Sequence, residues 1–329
     1  MNTAQTLGRS IRALAGRILL LAAALPALLL LSAVRAEAGQ ETLRMAYLQN
    51  DLHHLAFWVG MDKGFLTQEG LAVDMQGVFR SGPELMAAFG AGELDAAYVG
   101  EAPAAIASIR GTAKILLLAQ ANTEGSALVS AKDLKAGGEK PVVIAIPGAG
   151  GVQDLLLRKA LPALGIDPKR AEVMVLGPPE MSPSLLTGKI DAFIAWEPYP
   201  SQALALGAGQ RAATSADIWP NHPCCALIIS EKLAAERPEA VKALLRAHRQ
   251  ATEYIAGHPD EAAAVAVNRT GMKEDTVKQA MSHVKYVAVP DVAGLEDYIT
   301  FLNELGFVKV ENPKAFAGAF IASKFWETK

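Results

Sequence analysis

The chain has 329 residues, 51% hydrophobic, 20% charged and 6% aromatic, with a formal charge of −3 at neutral pH. Such a balance lacks the basic excess of a nucleic-acid surface, and few aromatics beside abundant alanine and leucine point to a helix-rich globular chain.

Arg9, Arg12 and Arg17 precede an apolar run from Ile18 to Ala33, and small-residue patterns follow at Val34-Arg35-Ala36 and Ala36-Glu37-Ala38. This is the layout of a secretory signal peptide over residues 1–38, and its apolar run is short of the ~20 residues a spanning helix needs. No cysteine lies there to carry a lipid. Export to a bacterial periplasm as a soluble protein is expected. Cleavage removes four arginines and one glutamate, which takes the formal charge to about −6 and leaves enough chain for two compact units.

Beyond the leader, short apolar runs alternate with helical patterns. Leu43–Leu48, Ala72–Val78, Ala96–Val99, Ile115–Ala119, Val142–Ile146, Glu172–Leu176 and Ala192–Ala195 read as buried strands. Pro83–Phe89, Ala102–Ile109, Val152–Leu164 and Ser182–Thr187 read as helices. Alternation of this kind predicts an α/β fold with parallel sheets covered on both faces. From Glu231 the pattern turns mostly helical, with Pro238 near a helix start and Gly257 and Pro259 as stops.

One segment recurs. Residues 89–101, Phe-Gly-Ala-Gly-Glu-Leu-Asp-Ala-Ala-Tyr-Val-Gly-Glu, match residues 185–197, Leu-Leu-Thr-Gly-Lys-Ile-Asp-Ala-Phe-Ile-Ala-Trp-Glu, at Gly92/Gly188, Asp95/Asp191, Ala96/Ala192 and Glu101/Glu197. Each copy fits a helix ending at glycine, an aspartate turn, a buried strand and a glutamate at its carboxyl end. Two copies suggest two lobes on one plan. Ligands of open α/β sheets bind outside the carboxyl ends of strands, which places Glu101 and Glu197 at a shared crevice; the alternative is that each caps its following helix.

Other candidates gather at the same strand ends. Tyr47, Asn50, Asp51, His53 and His54 lie at or just past the end of the first strand. One of the two histidines is a candidate for ligand or metal contact, and the plainer reading is a helix capped by Asp51 with solvated imidazoles. Ser81 and Gly82 open one helix, and Gly148, Gly150 and Gly151 precede another. Two free helix N-termini facing one cleft suit an oxoanion or a carbonyl. The glycine run lacks dinucleotide spacing, the strand ending at Leu176 leads into Gly177-Pro178-Pro179 with no acidic residue placed for a ribose, and no Gly-Lys-Ser/Thr loop occurs, so nucleotide binding is not expected. Trp196, Glu197 and Tyr199 supply aromatic plates and a carboxylate from the second lobe. His248 shares the apolar side of its helix and reads as a satisfied core residue.

Residues 56–71, Ala-Phe-Trp-Val-Gly-Met-Asp-Lys-Gly-Phe-Leu-Thr-Gln-Glu-Gly-Leu, together with Ser81-Gly82-Pro83-Glu84, Gly92–Ala97, Trp196-Glu197-Pro198-Tyr199 and Arg237–Ala247, resemble the nitrate/sulfonate/taurine-type family of ABC-transporter solute-binding proteins, which also includes pyrimidine-precursor binders. The resemblance covers essentially the whole chain after the leader. It implies two Rossmann-like lobes of a type II periplasmic binding protein, with hinge crossovers and a helical C-terminal part: residues 39–124 and 225–329 in lobe 1, residues 125–224 in lobe 2. It further implies a small-molecule solute, an ABC permease in the inner membrane as partner, a monomer, no cofactor, no resident metal and no catalysis.

His222, Cys224 and Cys225 stand outside these expectations. The fungal pyrimidine synthases that share the resemblance carry a longer cysteine run at this place, which this chain lacks. Three readings stay open: a metal site using one cysteine with His222 and His53 or His54, a strained disulfide between neighbours, or two reduced residues, one packed in a core and one lining the pocket. In a regular strand the two side chains would point to opposite faces, so both reach one partner only if Pro223 forces a turn. A metal-dependent synthase, or a metal or redox module using the His and Cys-Cys residues, is the alternative function.

Overall fold

A computed structural model describes residues 40–134 and 140–326; the expected signal peptide falls outside them. The strands are β1 Glu41–Leu48, β2 Leu71–Phe79, β3 Ala96–Gly100, β4 Ile115–Glu124, β5 Ser126–Ser130, β6 Val142–Ile146, β7 Ala171–Val175, β8 Ala192–Trp196, β9 Gln210–Thr214, β10 Pro223–Ser230 and β11 Val284–Tyr286. The helices are α1 Leu55–Asp62, α2 Phe65–Gln68, α3 Gly82–Gly90, α4 Glu101–Ile109, α5 Val152–Ala163, α6 Pro178–Leu186, α7 Tyr199–Ala205 and α8 Ser215–Ile218. The C-terminal part continues with α9 Glu231–Glu236, α10 Pro238–Gly257, α11 Pro259–Thr270, α12 Glu274–Met281, α13 Val292–Glu304 and α14 Pro313–Phe320.

The strands form two sheets, ordered β11-β4-β10-β3-β1-β2 and β7-β6-β8-β5-β9. Every strand expected from the sequence is present, yet the sheets are mixed rather than parallel. β10 runs antiparallel between β3 and β4, and β5 runs antiparallel between β8 and β9. Each inserted strand reaches its sheet from the opposite lobe, so the chain arrives from the far end and must point the other way. Alternating strands and helices along the chain do not reveal this, because the reversal depends on which sheet a strand enters.

The internal similarity is structural. Gly92 and Gly188 end helices with φ of +76° and +69°, a backbone that side chains with a Cβ rarely adopt. Asp95 then accepts the Arg44 N–H of β1, and Asp191 accepts the Val143 N–H of β6, both at 3.0 Å. The aspartate in each copy therefore pins the incoming strand to its parallel neighbour, β3 on β1 and β8 on β6. All five residues of β3 and all five of β8 are buried. A buried Val, Ile or Phe contributes roughly 1.5–3 kcal/mol each by leaving water.

Local signals account for the helix starts that matter below. Ser81 accepts the Glu84 N–H at 3.4 Å and Pro83 sits in the first turn of α3. Helix α10 buries Val241, Leu244, Leu245 and Ile255 against α1 and β4. On that face His248 meets both hydrogen-bonding needs: one ring nitrogen lies 2.8 Å from the Tyr98 hydroxyl and the other 2.7 Å from the Gln120 carbonyl. Among the described residues no helix is long and apolar enough to cross a membrane.

Burial lowers the His248 imidazole to about 4, so the folded chain keeps it neutral where an unfolded chain would protonate it. The unfolded state therefore gains a proton as pH falls from 7 to 5, and His248 costs the fold roughly 2 kcal/mol over that interval. Urea unfolding at the two pH values should show this loss in the parent protein, and a His248→Gln variant should lose measurably less between them, whatever its stability at pH 7.

Candidate functional site

Two crossovers connect the sheets. The first is Gly125 alone, between the end of β4 and the start of β5; the second runs from α8 through residues 219–222 into β10. Glu124 and Gly125 both hold positive φ, +62° and +86°, as does Asn221 at +56° on the second crossover. The Glu124 carboxylate ties the two together, since it accepts the Asn221 N–H and the Lys285 ammonium, each at 2.9 Å.

Beside these crossovers the end of β1 meets the start of β10. Asp51 caps a single 3-10 turn, Leu52–His54, by accepting the His53 N–H at 3.0 Å. Because β10 is antiparallel to β3, its first residues lie at the carboxyl edge of the parallel strands, with Cys225 opposite Gly100. On the other side Pro223 pairs with Thr123 and Cys225 with Asn122, so Cys224 is the extra residue of a β-bulge. The bulge overturns the regular-strand geometry: both sulfurs reach one atom, the His53 Nδ1, at 3.4 Å from Cys224 and 3.5 Å from Cys225. The sulfurs are 4.0 Å apart and unbonded, so the pair is reduced here rather than a disulfide.

The surrounding hydrogen bonds fix each member. His53 Nε2 lies 2.8 Å from the Gly125 carbonyl, which can only accept, so Nε2 carries a proton and Nδ1 faces the sulfurs. His54 Nδ1 accepts the Leu48 N–H at 3.3 Å, which leaves its Nε2–H facing the Asp51 carboxylate 3.5 Å away. Asn122 accepts the Cys225 N–H, and Gln120 donates to the Cys225 and Asn122 carbonyls. Asp51, His53, His54 and Cys224 are wholly buried, and Cys225 nearly so.

Burial sets the charge states. It pushes the Asp51 carboxyl up to about 7 against the pull of His53. Burial alone would lower His53, but the Asp51 carboxylate and Cys224 beside it push the imidazole up to about 10. Burial would likewise raise the Cys224 thiol, yet the Cys225 hydrogen bond and the His53 charge hold it well below the ordinary thiol range, while burial and the neighbouring Cys224 push Cys225 well above it. In this state the cluster is an imidazolium with a thiolate and a neighbouring thiol.

A cleft opens from this cluster between the lobes. Leu48, Asp51, Ser81, Gly82, Gly100, Pro147, Gly148, Gly151, Val152, Gln153, Trp196 and Cys225 line it, and it holds about 10 Å³, room for one water at most. The start of α3 abuts the loop before α5, with Ser81 packed against Gly148; a Cβ on Gly148 would lie 3.2 Å from that of Ser81. Among the described residues the buried Trp196 Nε1–H has no hydrogen-bond partner.

The other sequence candidates separate from the cleft. Glu197 is buried, but it caps α7 through the Ser201 N–H at 3.1 Å and pairs with Arg211 at 3.0 Å. Among the described residues the Glu101 carboxyl, at the start of α4, has no hydrogen-bond partner, and burial pushes it up to about 8. Tyr47 packs edge-on against Phe57 and Trp58. Asn50 takes a positive-φ turn, and Tyr199 donates to the Gln49 carbonyl at 3.3 Å. Gly150 borders an outer groove with Ile106 and Phe307. The His222 Nδ1–H donates to the Trp219 carbonyl at 2.7 Å, and its ring is among the groups that help hold the Cys224 thiol low. Sequence reading missed Gln120, Asn122 and Gly125. Their signal was two amides in the second half of a largely buried strand, ahead of a glycine, which a buried strand carries only if other groups bond them.

Two mixed sheets, two crossovers and a cleft at the carboxyl edges define a type II periplasmic-binding-protein fold. The model of the NMT1-like family matches residues 36–269, and the chain belongs to that family. A nitrate/nitrite binding protein of Synechococcus elongatus is 36% identical over 120 residues, 36% of this chain and 27% of that protein. A putative binding protein of Brucella abortus is 29% identical over 62% of this chain and 63% of its own length. The matched stretches thus span less than two thirds of these relatives. In fold, the periplasmic nitrate-binding protein of Synechocystis superposes with a TM-score of 0.78 at 19% identity, covering 87% of each chain. The alkanesulfonate-binding protein of Xanthomonas axonopodis, bound to MOPS, gives 0.72 at 16% identity over 85% of this chain and 98% of its own.

Gly125 has no room for a side chain: a Cβ would lie 2.4 Å from His53 Nε2, in a backbone conformation with φ of +86°. Gly207 has φ of +67° and open space around it. Gly207→Ala should therefore cost about 1–2 kcal/mol from backbone strain alone, whereas Gly125→Ala should cost clearly more in chemical denaturation, because it also displaces His53. Equal losses would mean that the His53–Gly125 contact contributes nothing.

Proposed function

We propose that the chain is the solute-binding component of an ABC importer, acting in the periplasm as a monomer. Lobe 1, residues 39–124 and 225–329, and lobe 2, residues 125–224, close on a small solute and present it to an inner-membrane permease. The observation that carries this reading is the cleft itself: α3 and α5 begin on opposite lobes, face one another across it, and leave almost no free space. A ligand can enter only when the lobes part and touches both only when they close, so binding selects the closed state through differential affinity. No chemistry on the solute is needed.

Sulfonate, taurine, nitrate and pyrimidine-like solutes are the candidate cargo. The free N–H groups at two helix starts and the unpartnered Trp196 Nε1–H favour an oxyanion or carbonyl among them. The argument against a small anion from two inward carboxylates weakens, since Glu197 is engaged by Arg211 and neither Glu101 nor Glu197 lines the cleft. Asp51 does line it, and a bound anion would keep its carboxyl protonated.

Thermal unfolding with nitrate, taurine, an alkanesulfonate and pyrimidine precursors tests the reading. At 100 times Kd a cargo stabilises the fold by about 2.7 kcal/mol, a rise of roughly 4–5 °C for a chain of this size. The solute should be recovered unaltered after release. Conversion of a bound compound to product would sink the proposal.

A further inference from the structure

We infer that His53, Cys224 and Cys225 form a binding site for one thiophilic metal ion at the floor of the cleft, with zinc the closest match. The three donor atoms, His53 Nδ1 and the two sulfurs, all lie within 4.8 Å of one another. A tetrahedral ion with metal–sulfur bonds of about 2.3 Å and a metal–nitrogen bond of about 2.0 Å needs sulfur–sulfur separations of about 3.8 Å and sulfur–nitrogen separations of about 3.5 Å. The observed triangle is 4.0 Å between sulfurs and 3.4 and 3.5 Å from sulfur to nitrogen. Donors already stand where a coordination shell would place them, with small movements remaining.

The supporting contacts have the form that metal sites require. A ligating histidine commonly donates its other ring N–H to a carbonyl, which fixes the tautomer and aims the lone pair. His53 does this through Nε2 to the Gly125 carbonyl. Asn122 and Gln120 hold the backbone of Cys225 on both its polar groups. Asp51 Oδ1 lies 3.3 Å from His53 Nδ1 but is not within reach of all three donors, so Asp51 supports the ring from beside the site and the fourth position is left to water or the solute. The His54 Nε2 lies 3.5 Å from the other Asp51 oxygen, beyond a formed hydrogen bond. Two thiolates and an imidazole suit zinc with a fourth ligand from water, or Cu(I) without one; they do not suit calcium or magnesium. Because Asp51 and Cys225 line the cleft, the ion enters from there.

Binding transfers no electrons. Thiol and imidazolium protons leave to solvent as the metal bonds form.

The site stands apart from the transport reading: metal titration tests the donors, solute screening tests the cleft, and either can fail alone. The experiment uses the full protein, reduced and freed of metal with a chelator, then titrated with Zn2+ in competition with a chromophoric chelator and read again by native mass spectrometry. One equivalent should bind. Cys224→Ser and Cys225→Ser should each weaken binding at least about 100-fold, and Asp51→Asn about tenfold. Co2+ in place of Zn2+ should give thiolate-to-metal charge-transfer absorption in the parent protein, a readout that needs no variant and so survives a folding defect in either serine protein. Tighter binding of Cu+ with the same loss in the serine variants would support the site with a softer ion. No stoichiometric binding of either ion, bound Co2+ without thiolate absorption, or unchanged affinity in folded serine variants would overturn it.

Discussion

The chain passes from one sheet to the other through a single residue, and much of the site depends on what Gly125 permits. Its φ of +86° turns β4 into β5 without a loop, and its missing side chain lets the His53 ring approach to hydrogen-bonding distance of its carbonyl. The same carbonyl accepts the Glu197 N–H of the second lobe at 2.8 Å. One oxygen thus joins the end of β1 in lobe 1, the crossover, and the end of β8 in lobe 2. With the His53 Nε2–H committed there, its Nδ1 has one direction left, toward the cysteines.

The cluster is consistent with its burial only because its members satisfy one another. A carboxyl, two imidazoles and two thiols in an apolar interior would each resist charging on their own. Together, His53 takes a proton, Cys224 gives one up, and Asp51 and Cys225 are held near neutral by the surrounding low dielectric. Such an arrangement stores charge beside a cleft without exposing it. Burial pushes both Glu197 and its counterpart Glu101 up, to about 7 and about 8; Arg211 on β9 and the Ser201 N–H oppose the shift in the first.

The two lobes show how a short repeat becomes an architecture. In both, a glycine ends the helix, an aspartate clamps the neighbouring strand, and a fully buried strand follows. The clamps set the parallel register in each sheet, and the exchanged strands β5 and β10 fill the corresponding positions in the opposite lobes. This leaves helix starts from both lobes facing one cleft, and that juxtaposition rather than any single residue supports solute capture.

Much of the fold was legible along the chain because hydrophobic periodicity, helix caps and the repeated Gly-Asp segment are local signals. Asp95 and Asp191 read only as turns, and their clamps on Arg44 and Val143 reach 51 and 48 residues along the chain. Ser81 and Pro83 act within one turn, so their types and spacing already state their roles. The proximity of Asp51 and His53 was local too. Their meeting with Cys224 and Cys225 was not: about 170 residues separate them, and the encounter depends on β10 returning antiparallel from the second lobe. A bulge at Cys224, held by amides on β4, then brings both sulfurs to one side, against the alternation that a regular strand imposes. Sequence by itself determined the lobes and their shared plan, because those rest on short-range patterning and burial. Only the tertiary structure decided which polar groups share a site, because backbone reversal, bulging and the space left by one glycine are set by strands that are neighbours in space alone.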